Sequence, residues 1–319
     1  MFQAILLKIS KVILLVMFLV FVAKGFPLTA NSQEQNNKTM EFDPVQAIKY
    51  LEQVCAIGTR VSGSEGMAKQ RELIVKHFES LGARVTVQEF KATQRSMNKP
   101  VDMANIVVSW HSSSRERIIL CSHYDTRPRA DQETDPKKRS APFVSANDGG
   151  SGIALLMELG KSMKSMPLKV GVDFVFFDGE EFVFDPDDEY FFGSKHFARE
   201  ARKNSQVVKY RAAVLLDMVG GKNARFPIEQ NSWWKAAPLV REIWSVAQEM
   251  KVTTFTTDFS RVAVEDDHIP LNNGGIPAID IIDFDYKHWH KISDTPDQCS
   301  GDTMSQVARV LSSWLQKIQ

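Results

Sequence analysis

The chain has 319 residues, 43% of them hydrophobic, and its 39 lysines and arginines are matched by 39 aspartates and glutamates. That is enough apolar material for a full core, while the balanced charge excludes the basic surface that nucleic acid or an acidic membrane would require. Cys55, Cys121 and Cys299 show no CxxC spacing, which excludes a thiolate metal site and a disulfide-built scaffold and leaves one bridge at most.

At the N-terminus, Lys8 and Lys11 precede an uncharged stretch, residues 12–23, and small residues up to Ala30. This pattern predicts a secretory signal over residues 1–30 and therefore an extracytoplasmic protein, periplasmic or secreted. Contact with a membrane would arise only if the segment stayed uncleaved, since the apolar run falls short of the ~20 residues of a spanning helix. Residues 31–41 are polar without periodicity and read as a disordered lead-in, and residues 42–319 as one catalytic domain.

Within that domain, Val45, Ile48, Leu51 and Val54 recur at helical spacing over residues 42–55, and a second helix is predicted over 67–81. Residues 84–90 alternate as a half-buried strand, followed by strands at 104–110 and 117–122. Helices at 149–163, 193–202, 234–250 and 302–318 then interleave with apolar strands at 172–177, 212–218 and 277–282. Such alternation predicts a single α/β domain, its central sheet mixed but mostly parallel and covered by helices on both faces.

Chemistry-bearing clusters follow the strand-like segments: His123-Tyr124-Asp125, Asn147-Asp148-Gly149, Asp178-Gly179-Glu180-Glu181, Asp217, Asp266-Asp267-His268 and Trp289-His290. Carboxylates and imidazoles at buried strand ends are costly unless paired or metal-bound. Nitrogen and oxygen donors without cysteine suit zinc. Asp148, Glu181 and His290 supply the three ligands of an open tetrahedral site, and Glu180 stands beside it as general base and acid. His123 and Asp217 either hold a second metal or hydrogen-bond around the first, and Asp125 is read as orienting the His123 imidazole. His288, two residues before His290, is the rival ligand; His196 reads as structural and His268 as a hydrogen-bond partner.

At these segments, and at Ala130-Asp131-Gln132, Gly193-Ser194 and residues 279–282, the chain resembles the zinc-dependent glutaminyl cyclases of animals and bacteria. These glutaminyl-peptide cyclotransferases share the zinc aminopeptidase-like fold of peptidase family M28, and the resemblance runs from about residue 42 to the C-terminus. It implies one zinc on Asp148, Glu181 and His290, proton transfer by Glu180, a carboxylate network of Asp217 and Asp266 with Glu180, and Trp289 packed against the substrate side chain. The implied substrates are peptides with an N-terminal glutamine, converted to pyroglutamate with release of ammonia. The same ligands also accommodate a two-zinc aminopeptidase with Asp148 bridging. The length of the loop 182–192 favours the cyclase.

Overall fold

The computed structural model describes residues 42–319, so the expected signal (1–30) and lead-in (31–41) lie outside the described residues. Helix α1 (Pro44–Cys55) starts where the Asp43 carboxylate accepts the N–H groups of Val45 and Gln46, with proline in the first turn. Helix α2 (Glu65–Ser80) starts on the Ser64 hydroxyl in the same way. Strands β1 (Arg84–Ala92), β2 (Val101–Trp110) and β3 (Glu116–His123) follow, then α3 (Gly150–Met163), β4 (Gly171–Phe177), α4 (Phe192–Lys203) and β5 (Lys209–Asp217). The chain continues through β6 (Phe226–Ile228), α5 (Gln230–Glu249), β7 (Phe255–Phe259), α6 (His268–Asn273), β8 (Ala278–Ile282) and α7 (Gly301–Lys317).

Six strands form the central sheet in the order β1-β2-β4-β3-β5-β8. β1 with β2 and β2 with β4 are antiparallel, whereas β4 with β3, β3 with β5 and β5 with β8 are parallel, as the mixed, mostly parallel expectation required. Alternation along each central strand sorts side chains between two cores. Ile118 and Leu120 of β3, Phe174 and Phe176 of β4, and Val214 and Leu216 of β5 pack against α1, α2, α3, α5 and α7. Their neighbours Ile119, Cys121, Val175, Phe177, Ala213 and Leu215 face Phe197 and Ala198 of α4 and Leu271 of α6. Asp173, the polar exception in β4, is buried against Arg117, which donates to both of its oxygens at 2.9 and 2.6 Å. All three cysteines are buried free thiols.

The chain leaves β3 through α3 to β4 on one side and then crosses back through α4 to β5 on the other. In an open α/β sheet a crevice forms at the carboxyl ends of strands where the winding reverses in this way. The parallel β6–β7 pair and α6 were not expected from the sequence. One expectation is corrected: the clusters do not all follow strands of the sheet. His123, the Glu180-Glu181 pair and Asp217 do, but Asp148 precedes α3 after a long loop, Asp266 precedes α6, and His290 lies in turns between β8 and α7. Among the described residues no helix is long and apolar enough to cross a membrane.

Candidate active site

Strands β3, β4 and β5 deliver His123, the Asp178-Gly179-Glu180-Glu181 turn and Asp217 to the crevice, and flanking loops add the rest. The Asp148 loop is held by Asp294, whose carboxylate accepts the N–H groups of Asn147 (2.9 Å) and Asp148 (3.2 Å). Behind it the buried Arg60 donates to the carbonyls of Val144 and Ser145. Gly149 is required by the fold: its φ is +71, and a Cβ there would stand 2.7 Å from Cε1 of His123.

His290 Nε2 lies 2.5 Å from Glu181 Oε1 and 3.4 Å from Asp148 Oδ2, and the three donors sit within 4.8 Å of one another. A tetrahedral zinc with bonds near 2.05 Å separates its ligands by about 3.3 Å, so the trio needs only small shifts to enclose one. Asp148 Oδ2 is buried and has no hydrogen-bond partner, an unmet demand that a cation satisfies. His290 Nδ1 is 3.0 Å from Asp131 Oδ1, which fixes the ring with Nε2 toward the other ligands. Chemistry and spacing therefore fit zinc.

Charge in the cluster is organised around the same contact. Burial pushes the Asp148 carboxyl up to about 7, with Glu181 adding to the rise. For Glu181 burial acts in the same direction, but the His290 imidazolium outweighs it and holds the carboxyl at about 2. Burial opposes the charge on His290, yet Glu181 and Asp131 keep it protonated up to about 9. Zinc held by this trio would require His290 Nε2 to be deprotonated.

His123 Nε2 lies 3.1 Å from Asp148 Oδ1 and 3.3 Å from Asp217 Oδ1, a second trio with donors within 4.8 Å. Asp148 therefore faces both trios, one oxygen to each. Asp125 lies 3.7 Å from His123 Nδ1, while its two oxygens accept the N–H groups of Glu180 (3.1 Å) and Glu181 (3.0 Å). Asp125 thus stands between the backbone of the glutamate pair and the His123 imidazole. The Glu180 carboxylate accepts no hydrogen bond among the described residues and keeps 12% side-chain exposure, 3.8 Å from His123 Nδ1. Burial raises its carboxyl well above the usual range; His123 opposes this, and Glu181 and Asp266 add to it.

Behind Glu180, Asp266 is buried and raised well above a normal carboxyl, first by burial and then by Asp217. Asp267, accepting the Ser194 hydroxyl at 2.5 Å, and Asp280, whose two oxygens are buried without partners, extend this acidic group. On the other side Trp289 lies against His290, ring centroids 4.0 Å apart, and against Phe284 at 5.1 Å. With Met218, Val264 and Tyr286 they make an apolar wall. Among the described residues, four of the seven non-glycine residues at positive φ, Ser145, Phe191, Met218 and His290, border this crevice, where backbone strain is characteristically tolerated.

The rival His288 turns away, with Nδ1 2.8 Å from the Ser293 hydroxyl. His196 stacks on Phe90 at 4.5 Å, and His268 lies 3.3 Å from Glu229, the residue that caps α5. Two contributors were given no role from the sequence, although Asp131 lies in one of the segments that carry the resemblance. Asp131 and Asp294 act at 159 and 147 residues' separation from the groups they hold, and neither belongs to a strand or a periodic segment that could have signalled it.

Comparison with known proteins bears on the same frame. The profile of peptidase family M28 matches residues 105–315, more than half of the chain. The crystal structure of Fimbriiglobus ruber glutaminyl cyclase superposes with a TM-score of 0.86 and 50% identity, covering 88% of this chain and 97% of that one. A Zn-dependent exopeptidase from Parabacteroides distasonis superposes at 0.80 and 30% identity, covering 88% and 100%. The glutaminyl-peptide cyclotransferase of Boiga irregularis is 24% identical over 287 residues, 79% of this chain and 75% of that protein. The chain belongs to peptidase family M28, on its glutaminyl cyclase branch.

Proposed function

We propose that this protein is a zinc-dependent glutaminyl-peptide cyclotransferase that converts the N-terminal glutamine of peptides to pyroglutamate and releases ammonia. The observation that carries this reading is the 50% identity to a glutaminyl cyclase over 97% of its chain, in a protein whose uncommitted Glu180 adjoins the Asp148, Glu181 and His290 trio. Zinc held by those three residues would supply a Lewis acid for the γ-amide carbonyl.

In the reaction the α-amine nitrogen bonds to the γ-carbonyl carbon and the bond from that carbon to the amide nitrogen breaks. Glu180 takes the proton from the first nitrogen and gives it to the second, which leaves as ammonia. Its freedom from hydrogen bonds suits that exchange, since both nitrogens must reach one carboxylate. Asp125 fixes Glu180 and Glu181 through their backbone N–H groups, and Asp217 and Asp266 surround the Glu180 side with buried carboxyls. Trp289 and Phe284 offer an apolar wall to the methylene groups of the glutamine. One zinc per chain is the expected content.

The second trio, His123, Asp148 and Asp217, favours one alternative, a two-zinc aminopeptidase. Metal analysis of the zinc-loaded chain separates them: one equivalent supports cyclisation and two support hydrolysis. The residues 1–30 pattern supports an extracytoplasmic location, tested by the N-terminus of the mature protein.

A further inference from the structure

A groove of about 530 Å³ opens between α4 and α6, beside the catalytic crevice. The two share a rim. Phe191, in the groove wall, donates its N–H to the carbonyl of Glu180 at 3.3 Å, and Arg127 donates to the Tyr190 hydroxyl, also in the wall, at 3.3 Å. Glu265, on the opposite wall, immediately precedes Asp266.

Helix α4 turns Lys195, Arg199 and Arg202 toward this groove, at the four- and three-residue spacing that stacks side chains on one helical face. Lys195 lies 3.6 Å from Glu189. Arg199 and Arg202 are exposed and form no ion pair among the described residues, and Glu265 is the acid that lines the groove. A cationic wall beside the aromatic rings of Tyr190 and Phe191 thus adjoins a crevice rich in carboxylates.

We propose that this groove is a specificity subsite for acidic side chains placed a few residues behind the N-terminus of the peptide substrate. Along α4, Arg199 is about 12 Å and Arg202 about 16 Å beyond Phe191 at 1.5 Å per residue. An extended peptide covers that distance in about three to five residues. A glutamine seated beside Glu180 therefore brings glutamates at positions four to six to the two free guanidinium groups. Arginine in exposed ion pairs adds modestly to affinity and more to partner choice, so the effect falls on KM and weakens with salt. The inference rests on the cyclase reading for the glutamine and on the groove for the residues behind it.

The test compares ammonia release from Gln-Ala-Ala-Glu-Glu-Glu and Gln-Ala-Ala-Lys-Lys-Lys by the zinc-loaded full chain and by its R199E/R202E variant, with melting temperature as the control for folding. The expected result is a preference of about tenfold in kcat/KM for the glutamate peptide, carried by KM, reduced in high salt and abolished or inverted in the variant. Equal rates on both peptides, or a preference that survives in R199E/R202E, would overturn the subsite. Absence of ammonia from either peptide and from Gln-Ala would be a failure of the cyclase reading alone. The groove is then judged by fluorescence anisotropy of the labelled glutamate peptide: loss of binding in R199E/R202E supports it, and equal binding by both proteins overturns it.

Discussion

Replacing Asp131 tests how the proposed zinc site is held without touching one of its three proposed ligands. Its carboxylate does two things: it fixes the His290 ring at 3.0 Å and it engages Arg127 at 2.8 Å. Loss of a carboxylate that orients a ligand imidazole weakens metal binding by about 10- to 100-fold, or roughly 1.4–2.7 kcal/mol. Asp131→Ala should fall toward the upper end of that range. The released Arg127 guanidinium already lies 3.8 Å from Glu181 Oε1, and it would compete with the metal for that ligand. Asp131→Asn keeps an acceptor for His290 and loses only the charge, so it should lie between Asp131→Ala and the unaltered protein. Asp131 also pairs with the buried His290 and Arg127 side chains, so the thermal stability of the metal-free protein should fall as well, and affinities are compared on protein that remains folded. The assay is competition for zinc against a chromophoric chelator, with circular dichroism confirming the fold. Zinc affinities within twofold of the unaltered protein for both variants would refute the orienting role.

Three further outcomes are expected from the same geometry. Glu180→Gln should lower turnover by about 10²- to 10⁴-fold while zinc content stays unchanged, because the amide keeps the shape but cannot carry the proton; normal turnover would remove Glu180 from the reaction. Gly149→Ala forces a side chain to φ +71 with its Cβ 2.7 Å from the His123 ring, so urea unfolding should reveal a loss of about 2 kcal/mol or more, and an unchanged midpoint would contradict the close approach. Asp178, buried and accepting from Ser62 (2.6 Å) and Ala104 (2.9 Å), is raised by burial, and next by Asp125, from 3.8 to about 7. Because the folded value is the higher one, its stabilising protonation is complete below about pH 4 and is lost as pH rises through 7, on the order of 4 kcal/mol in all. Asp178→Asn does not titrate and should lose less stability than the unaltered protein between pH 5 and pH 8; parallel losses in urea unfolding at the two pH values would count against the burial argument.

How far the sequence carries can be seen at particular residues. Strands β3, β4, β5 and β8 are short apolar runs, and burial on both faces leaves little else they could be, so their existence and the carboxylates at their ends were legible. β7, Phe-Thr-Thr-Asp-Phe, is mostly exposed, and β6 has three residues including Pro227, so neither carries a periodicity to read. α6 spans six residues with Pro270 inside, too short for a helical pattern. The Asp148, Glu181 and His290 trio proposed to hold zinc could be named because each member sits in a recognisable local pattern. The residues that order the trio could not: Asp131 reaches His290, and Asp294 the Asp148 loop, across most of the domain, and only the folded chain reveals such pairings. Asp125 illustrates the same limit: its spacing from His123 placed it beside the imidazole, where it lies 3.7 Å from Nδ1, but gave no sign that its oxygens also accept from the Glu180 and Glu181 backbone, 55 and 56 residues away.

The most direct test of the central claim is to incubate one zinc-loaded preparation with a glutamine-initiated dipeptide and, in parallel, with leucine p-nitroanilide, and to monitor ammonia and p-nitroaniline. The cyclase account predicts ammonia with pyroglutamyl peptide as the product and no p-nitroaniline. Release of p-nitroaniline without ammonia would contradict it and would turn His123 and Asp217 into the ligands of a second zinc.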